Sequence, residues 1–215
     1  MSNYLTNLNL PPDKFNTGDI VMSRYVWKDM SWKDRLLVRG ILATTGAKHN
    51  HDENMIRTSR GLYVGNAHSP HYELTSFEDR LAEYGQKIRV CAVFRYTPFM
   101  KDTHGEWYDA FQHRCNASIL TTAYIGPGYD WQALDRILLQ HIMMNWFRKK
   151  INLKNKEHRV YCTEGVVLQY KASCISLLKA IGKQPFPSPI HFERLWKLGK
   201  LTMIADFGLR DYLLA

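Results

Sequence analysis

The hydrophobic period of this chain keeps changing, and the order of those changes restricts its fold more than any single residue does. Ile88 to Tyr96 is rich in Val, Phe and Tyr and reads as a strand. So do Ile20 to Val26, opened by Gly18-Asp19, and Gly61 to Ala67, with Tyr63 and Val64 at its centre. Elsewhere the spacing is helical. Leu36, Leu37, Ile41 and Leu42 follow a Ser31-x-x-Asp34 cap, and Gly46 predicts the stop. Ser76 to Tyr84 reads as a short helix. Asp130 is the N-cap of a long helix to about Phe147, with Leu134, Ile137, Leu138, His141, Ile142 and Met143 near one face. A further helix starts near Cys162 and carries Val166, Val167, Tyr170, Cys174 and Leu178, until Gly182, Pro185, Pro187 and Pro189 end it. Phe192 to Leu198 predicts one more. Residues 49–56 are too polar to assign by period, and 97–128 are ambiguous up to the turn Gly126-Pro127-Gly128. Strands and helices mix without regular βαβ alternation, which predicts an α+β fold rather than a doubly wound sheet.

The 215 residues divide into a polar lead-in (1–17), one domain (18–198) and a tail (199–215) packed on the same domain. A chain of this length buries a core without disulfides or structural metal. No stretch approaches the ~18 apolar residues of a membrane span, so no transmembrane segment is expected. Met1 to Phe15 has neither a basic start nor a continuous apolar run, which predicts no signal peptide. Cys91, Cys115, Cys162 and Cys174 form no C-x-x-C pair. Free thiols in a reducing, cytoplasmic or otherwise intracellular compartment are therefore expected. The 29 Lys and Arg against 20 Asp and Glu give a formal charge of +9, which favours an anionic surface partner. Part of that charge, Arg148, Lys149, Lys150, Lys154, Lys156 and Arg159, precedes Cys162 in a stretch that reads as an exposed loop.

Val160-Tyr161-Cys162-Thr163-Glu164-Gly165 places a cysteine where a loop turns into a helix. Unsatisfied N–H groups and the helix dipole favour thiolate over thiol there. Such a nucleophile needs a base, and His49, His51, His68 and His71 lie among other polar groups. A third group must then hold the imidazole through its other nitrogen, and Asn66 and His68 are the candidates. His49-x-His51 with Asp52, Glu53, His68 and His71 has no recognised zinc spacing, so neither metal nor other cofactor is expected. Cys91 lies in an apolar strand and reads as core, and Cys115 and Cys174 are likewise expected to be buried.

The order Gly18-Asp19-Ile20-Val21, Asn50-His51, Tyr63-Val64-Gly65-Asn66-Ala67, Val90 to Arg95, Tyr129-Asp130 and Tyr161-Cys162-Thr163-Glu164 resembles the circularly permuted papain-like group of the NlpC/P60 superfamily, the YiiX/YaeF-type cysteine hydrolases. Ser188-Pro189-Ile190-His191-Phe192 resembles the Pro-containing segment that follows the nucleophile helix there. The resemblance spans about residues 18–198. It implies a papain-like NlpC/P60 fold, with an antiparallel sheet packed against helices. It also implies Cys162 as nucleophile, His51 as base and Asn66 as the orienting residue, with Tyr129 or Tyr161 lining the site. Its substrates would be peptide, peptidoglycan cross-peptide or lipid-acyl groups. The chain departs from the family pattern at Asn50 (usually Ser), at the polar run Asp52 to Met55, at Asn66 (often Glu) and at Thr163 (usually Ser). These departures keep His49 open as the base and His68 as the orienting residue. They also leave an alternative: an inactive homologue serving as a binding or assembly protein with a basic surface.

Overall fold

The computed structural model describes residues 12–25, 31–67, 71–83, 88–100, 105–147, 159–177, 179 and 187–214. In chain order the elements are β1 (Ile20–Tyr25), α1 (Trp32–Thr45), β2 (His51–Thr58), β3 (Gly61–Ala67), β4 (Tyr72–Ser76), α2 (Phe77–Ala82), β5 (Ile88–Tyr96), α3 (Glu106–Ile125), β6 (Gly128–Tyr129), α4 (Trp131–Trp146), β7 (Arg159–Val160), α5 (Cys162–Ala172), α6 (Pro189–Lys197), β8 (Leu201–Phe207) and α7 (Leu209–Leu214). Six strands form one antiparallel sheet in the order β4-β3-β2-β1-β5-β8. β6 and β7 make a separate short parallel pair. This is an α+β architecture. None of the described helices is long and apolar enough to cross a membrane.

Each strand sends alternate side chains to opposite faces. On one face Ile20, Met22, Ile56, Ala92 and Phe94 meet Phe111, Cys115 and Ile119 of α3, and Val166 and Tyr170 of α5. On the other, Val21, Met55, Val64, Cys91 and Val93 meet Phe15 and the α2 residues Phe77 and Leu81. Cys91 is thus the core residue that its strand predicts. α1 and α4 pack through Val38, Ile41, Ala133 and Ile137, with Tyr161 between them. The opening Gly18-Asp19 has a structural use. Gly18 has φ +84°, and a Cβ there would stand 2.5 Å from the Phe111 ring. Both Asp19 carboxylate oxygens accept from Arg95 at 2.8 Å, which ties β1 to β5.

Three elements differ from the sequence expectation. Most of the stretch 49–56, too polar to assign, belongs to β2 (His51–Thr58), hydrogen-bonded on both sides in the middle of the sheet. The ambiguous stretch 97–128 contains the 20-residue α3, whose buried Tyr108, Phe111, Cys115 and Ile119 lie three or four residues apart. Its exposed Trp107, Leu120, Tyr124 and Ile125 spread apolar residues around the helix and hide that period. α5 stops at Ala172, short of Leu178, because the chain turns at Cys174, which has φ 65°, and returns Ile175 and Leu177 to the core. That turn leaves Cys174 exposed, against the expectation of a buried thiol.

Candidate active site

Cys162 is the first residue of α5. The chain reaches it through β7, where Val160 pairs with the Tyr129 backbone, and through Tyr161, an extended N-cap. Tyr161 makes no side-chain cap bond, so the cap leaves the first-turn N–H groups to other partners. Its ring is buried between α1 and α4 and its hydroxyl donates to the Pro187 carbonyl, so it anchors the helix start and does not line an opening. Farther along, Gly165 admits the Tyr72 ring beside α5, and Asn54 Nδ2 donates to the Val166 carbonyl from β2.

His51 opens β2 and is 8% exposed; Cys162 is 5% exposed, so a reagent reaches both only at an edge. The Nε2 of His51 lies 2.8 Å from Asn66 Oδ1 and 3.2 Å from Glu53 Oε1. An ionised carboxylate only accepts, so Nε2 carries the proton and the Asn66 amide presents its oxygen. The imidazole also interacts with Cys162, and with Nε2 occupied Nδ1 is the nitrogen left for the sulfur. The Tyr25 ring stands edge-on to the imidazole, centroids 5.1 Å apart. Burial opposes charge on His51, but Cys162 and Glu53 outweigh it and raise its pKa to about 10. Glu53 is fully buried against Arg80, whose Nε donates to Oε1 at 2.9 Å. Burial alone would raise the Glu53 carboxyl; Arg80 and His51 instead hold it at about 2.

His49 sits apart from this set. Its Nε2 lies 2.6 Å from Asp52 Oδ1 and its Nδ1 2.7 Å from Glu193 Oε1, and it is fully buried. Both nitrogens therefore donate, and His49 has none free to accept a thiol proton. Burial opposes its charge, but Asp52 and Glu193 raise its pKa to about 9. His51, rather than His49, is the imidazole that meets Cys162. His68, the side chain of Tyr129 and most of the basic stretch before Cys162 lie outside the described residues.

Sequence reasoning missed Glu53 and Arg80. The available signal was His51-x-Glu53, which in a strand puts both side chains on one face. It could be used only after 51–58 had been read as a strand.

Among the described residues, no group of three or more His, Cys, Asp or Glu side chains has the arrangement of a metal site. In the His49 cluster nitrogen and oxygen stand 2.6 and 2.7 Å apart, which are hydrogen-bond distances. Two ligands on one tetrahedral zinc stand roughly 3.3 Å apart.

No family model matches the sequence, and no curated protein matches it. Among solved structures the chain is similar to the crystal structure of the metalloprotein YiiX from Escherichia coli O157:H7, a DUF1105 protein. Sequence identity is 16%, the TM-score is 0.56, and the likeness covers 89% of this chain and 97% of that one. At that identity the likeness speaks for the fold, and the fold is the papain-like one, an antiparallel sheet packed against helices.

Proposed function

We propose that this chain is a cysteine hydrolase of the circularly permuted, YiiX-like branch of the NlpC/P60 superfamily. It would cleave an amide, as in a peptide or peptidoglycan cross-peptide, or an acyl ester. The supporting observation is the setting of His51, whose Nε2 is held by Asn66 and Glu53 while the imidazole interacts with Cys162.

In this reading His51 takes the Cys162 proton, and the sulfur attacks the carbonyl carbon. The carbonyl π electrons move to oxygen, and the Cys162 N–H at the start of α5 donates to that oxyanion. As the tetrahedral intermediate collapses, the protonated His51 gives its proton to the departing amine or alcohol, leaving an acyl thioester on Cys162. Neutral His51 then takes a proton from water, whose oxygen attacks the thioester. Collapse of that second intermediate releases the acid, and the proton returns to the sulfur. Asn66 and Glu53 keep Nε2–H engaged throughout, so Nδ1 stays aimed at the reacting atoms. Glu53 remains a carboxylate and stabilises the imidazolium that forms.

The test is a thiol-directed activity probe applied to native protein, with the modified residue identified by mass spectrometry. Cys162 should label faster than the exposed Cys174, and His51→Ala should abolish that advantage. Preferential labelling of Cys174 in wild type, or a Cys162 rate indifferent to His51, would overturn the reading.

A further inference from the structure

Behind the sulfur lies a second cluster that the reaction above does not use. Asp52 follows His51 on β2 and so points to the opposite face of the sheet, toward α5. Its Oδ2 accepts the Thr163 hydroxyl at 2.7 Å, and its Oδ1 accepts from His49 at 2.6 Å. His49 donates its other ring proton to Glu193 on α6. Glu193 also accepts the backbone N–H groups of Lys48, at 2.6 Å, and His49, at 3.2 Å. The charges on this chain of contacts are Asp52, Glu193 and His49 itself; the neighbouring His191 of α6 is held neutral by burial, its pKa lowered to about 4, and Arg194 stands beside that ring.

Two consequences follow. The cluster joins the loop before β2, β2 itself, α5 and α6 through side chains that are all buried. It also fixes what the Thr163 hydroxyl can do. Its proton is committed to Asp52, so toward the Cys162 sulfur, 3.8 Å away, the oxygen can only accept. The thiol can rest its S–H there, but a thiolate gets no hydrogen bond from Thr163, and among the described side chains His51 is its donor.

We propose that His49 is a positioning residue for the nucleophile. Clamped between Asp52 and Glu193, it holds Asp52 on the Thr163 hydroxyl, and so fixes the first turn of α5 and the Cys162 sulfur in front of His51. This assignment rests on the hydrolase reading above. It gives Thr163 a defined task, with a serine hydroxyl able to substitute and an isosteric valine not.

The experiment uses the full chain in a Cys174→Ala background, so that the exposed thiol does not compete. Thr163→Val keeps the side-chain shape and removes the hydroxyl; Thr163→Ser restores it. Iodoacetamide labelling of Cys162 should slow about tenfold or more in Thr163→Val, since small displacements of reacting groups cost up to about a hundredfold. Thr163→Ser should label close to the parent rate, and both variants should be fully folded at the labelling temperature, although Thr163→Val, which leaves Asp52 Oδ2 without its donor, should melt lower. Labelling of Thr163→Val at the parent rate, or no recovery in Thr163→Ser, would overturn the assignment.

A second readout does not depend on thiol reactivity. The imidazole ¹⁵N shifts of His49 should report both nitrogens protonated at neutral pH, in the parent and in His51→Gln alike. A neutral His49 would also overturn the assignment. Failure of the hydrolase reading has a different signature: the parent and His51→Gln label Cys162 equally while His49 stays doubly protonated.

Discussion

Glu53→Gln removes one charge from the centre of the site while nearly conserving side-chain volume. The carboxylate is fully buried, bonded by Arg80 and shared with His51. Its pKa of about 2, against an ordinary 4.5, corresponds to a stabilisation of about 3 kcal/mol when it is ionised. Breaking a buried ion pair by removing one partner typically costs roughly 3–5 kcal/mol, which agrees. The sign of the pH dependence follows from the depressed folded-state pKa. The stabilisation is complete above about pH 5 and is lost as pH falls through 4.5 toward 2. The assay is urea unfolding of wild type and variant at neutral pH and again near pH 3. At neutral pH the variant should lose about 3 kcal/mol, a midpoint drop of about 1–3 M for an m-value of about 1–3 kcal/mol/M. The gap should narrow in acid, because wild type then loses what the variant already lacks. Equal stability at neutral pH would refute the reasoning. A gap that stays constant with pH would do the same, by showing that shape rather than charge is responsible.

Asn66→Ala should lower turnover about tenfold, because Glu53 alone then holds the imidazole. Its melting temperature should barely change, since Asn66 Nδ2 is buried with no hydrogen-bond partner among the described residues and deleting it removes an unmet donor; unaltered turnover would assign the orienting role to Glu53. Cys91→Ala should cost about 1–2 kcal/mol through a small cavity in the α2 face of the sheet. Probe labelling of Cys162 should survive it, and loss of labelling without loss of stability would contradict the structural role. Gly65→Ala would put a Cβ 2.0 Å from the Tyr72 hydroxyl oxygen and should cost roughly 1–3 kcal/mol by overpacking. Adding Tyr72→Phe should recover part of that loss in a double-mutant cycle, and simple additivity of the two costs would rule the clash out.

What could be read in the sequence is what a single physical demand governs. β5 is an interior strand of a sheet covered on both faces, so Val90 to Phe94 run apolar without interruption. α4 has a capping aspartate, Asp130, whose carboxylate accepts from Ala133 N–H at 3.2 Å, and its boundaries stand out. α3 serves two demands, since its buried stripe is flanked by exposed aromatic and aliphatic residues, and the period dissolves. β8 alternates poorly for a similar reason: as an edge strand it pairs with β5 on one side only.

The same contrast explains the site. Cys162 and His51 could be picked out because their surroundings, a helix start and a cluster of polar residues, are local along the chain. The choice between His49 and His51 is not local. It depends on where β2 begins, because two histidines two apart would share a face if both belonged to the strand. The strand starts at His51, so His49 lies in the preceding loop and is free to turn toward Asp52 and Glu193. The polarity that hides β2 from a propensity reading is then accounted for residue by residue. His51 meets Cys162 and Asn66, Asp52 meets Thr163 and His49, Glu53 meets Arg80, and Asn54 reaches the Val166 carbonyl. Four consecutive polar side chains in the middle of a sheet would each cost a few kcal/mol unpaired. They persist as a strand because both faces supply partners, and those partners are the nucleophile, its helix and the groups that orient the base. The segment with the weakest strand signal in the sequence is therefore the one on which the candidate site is built.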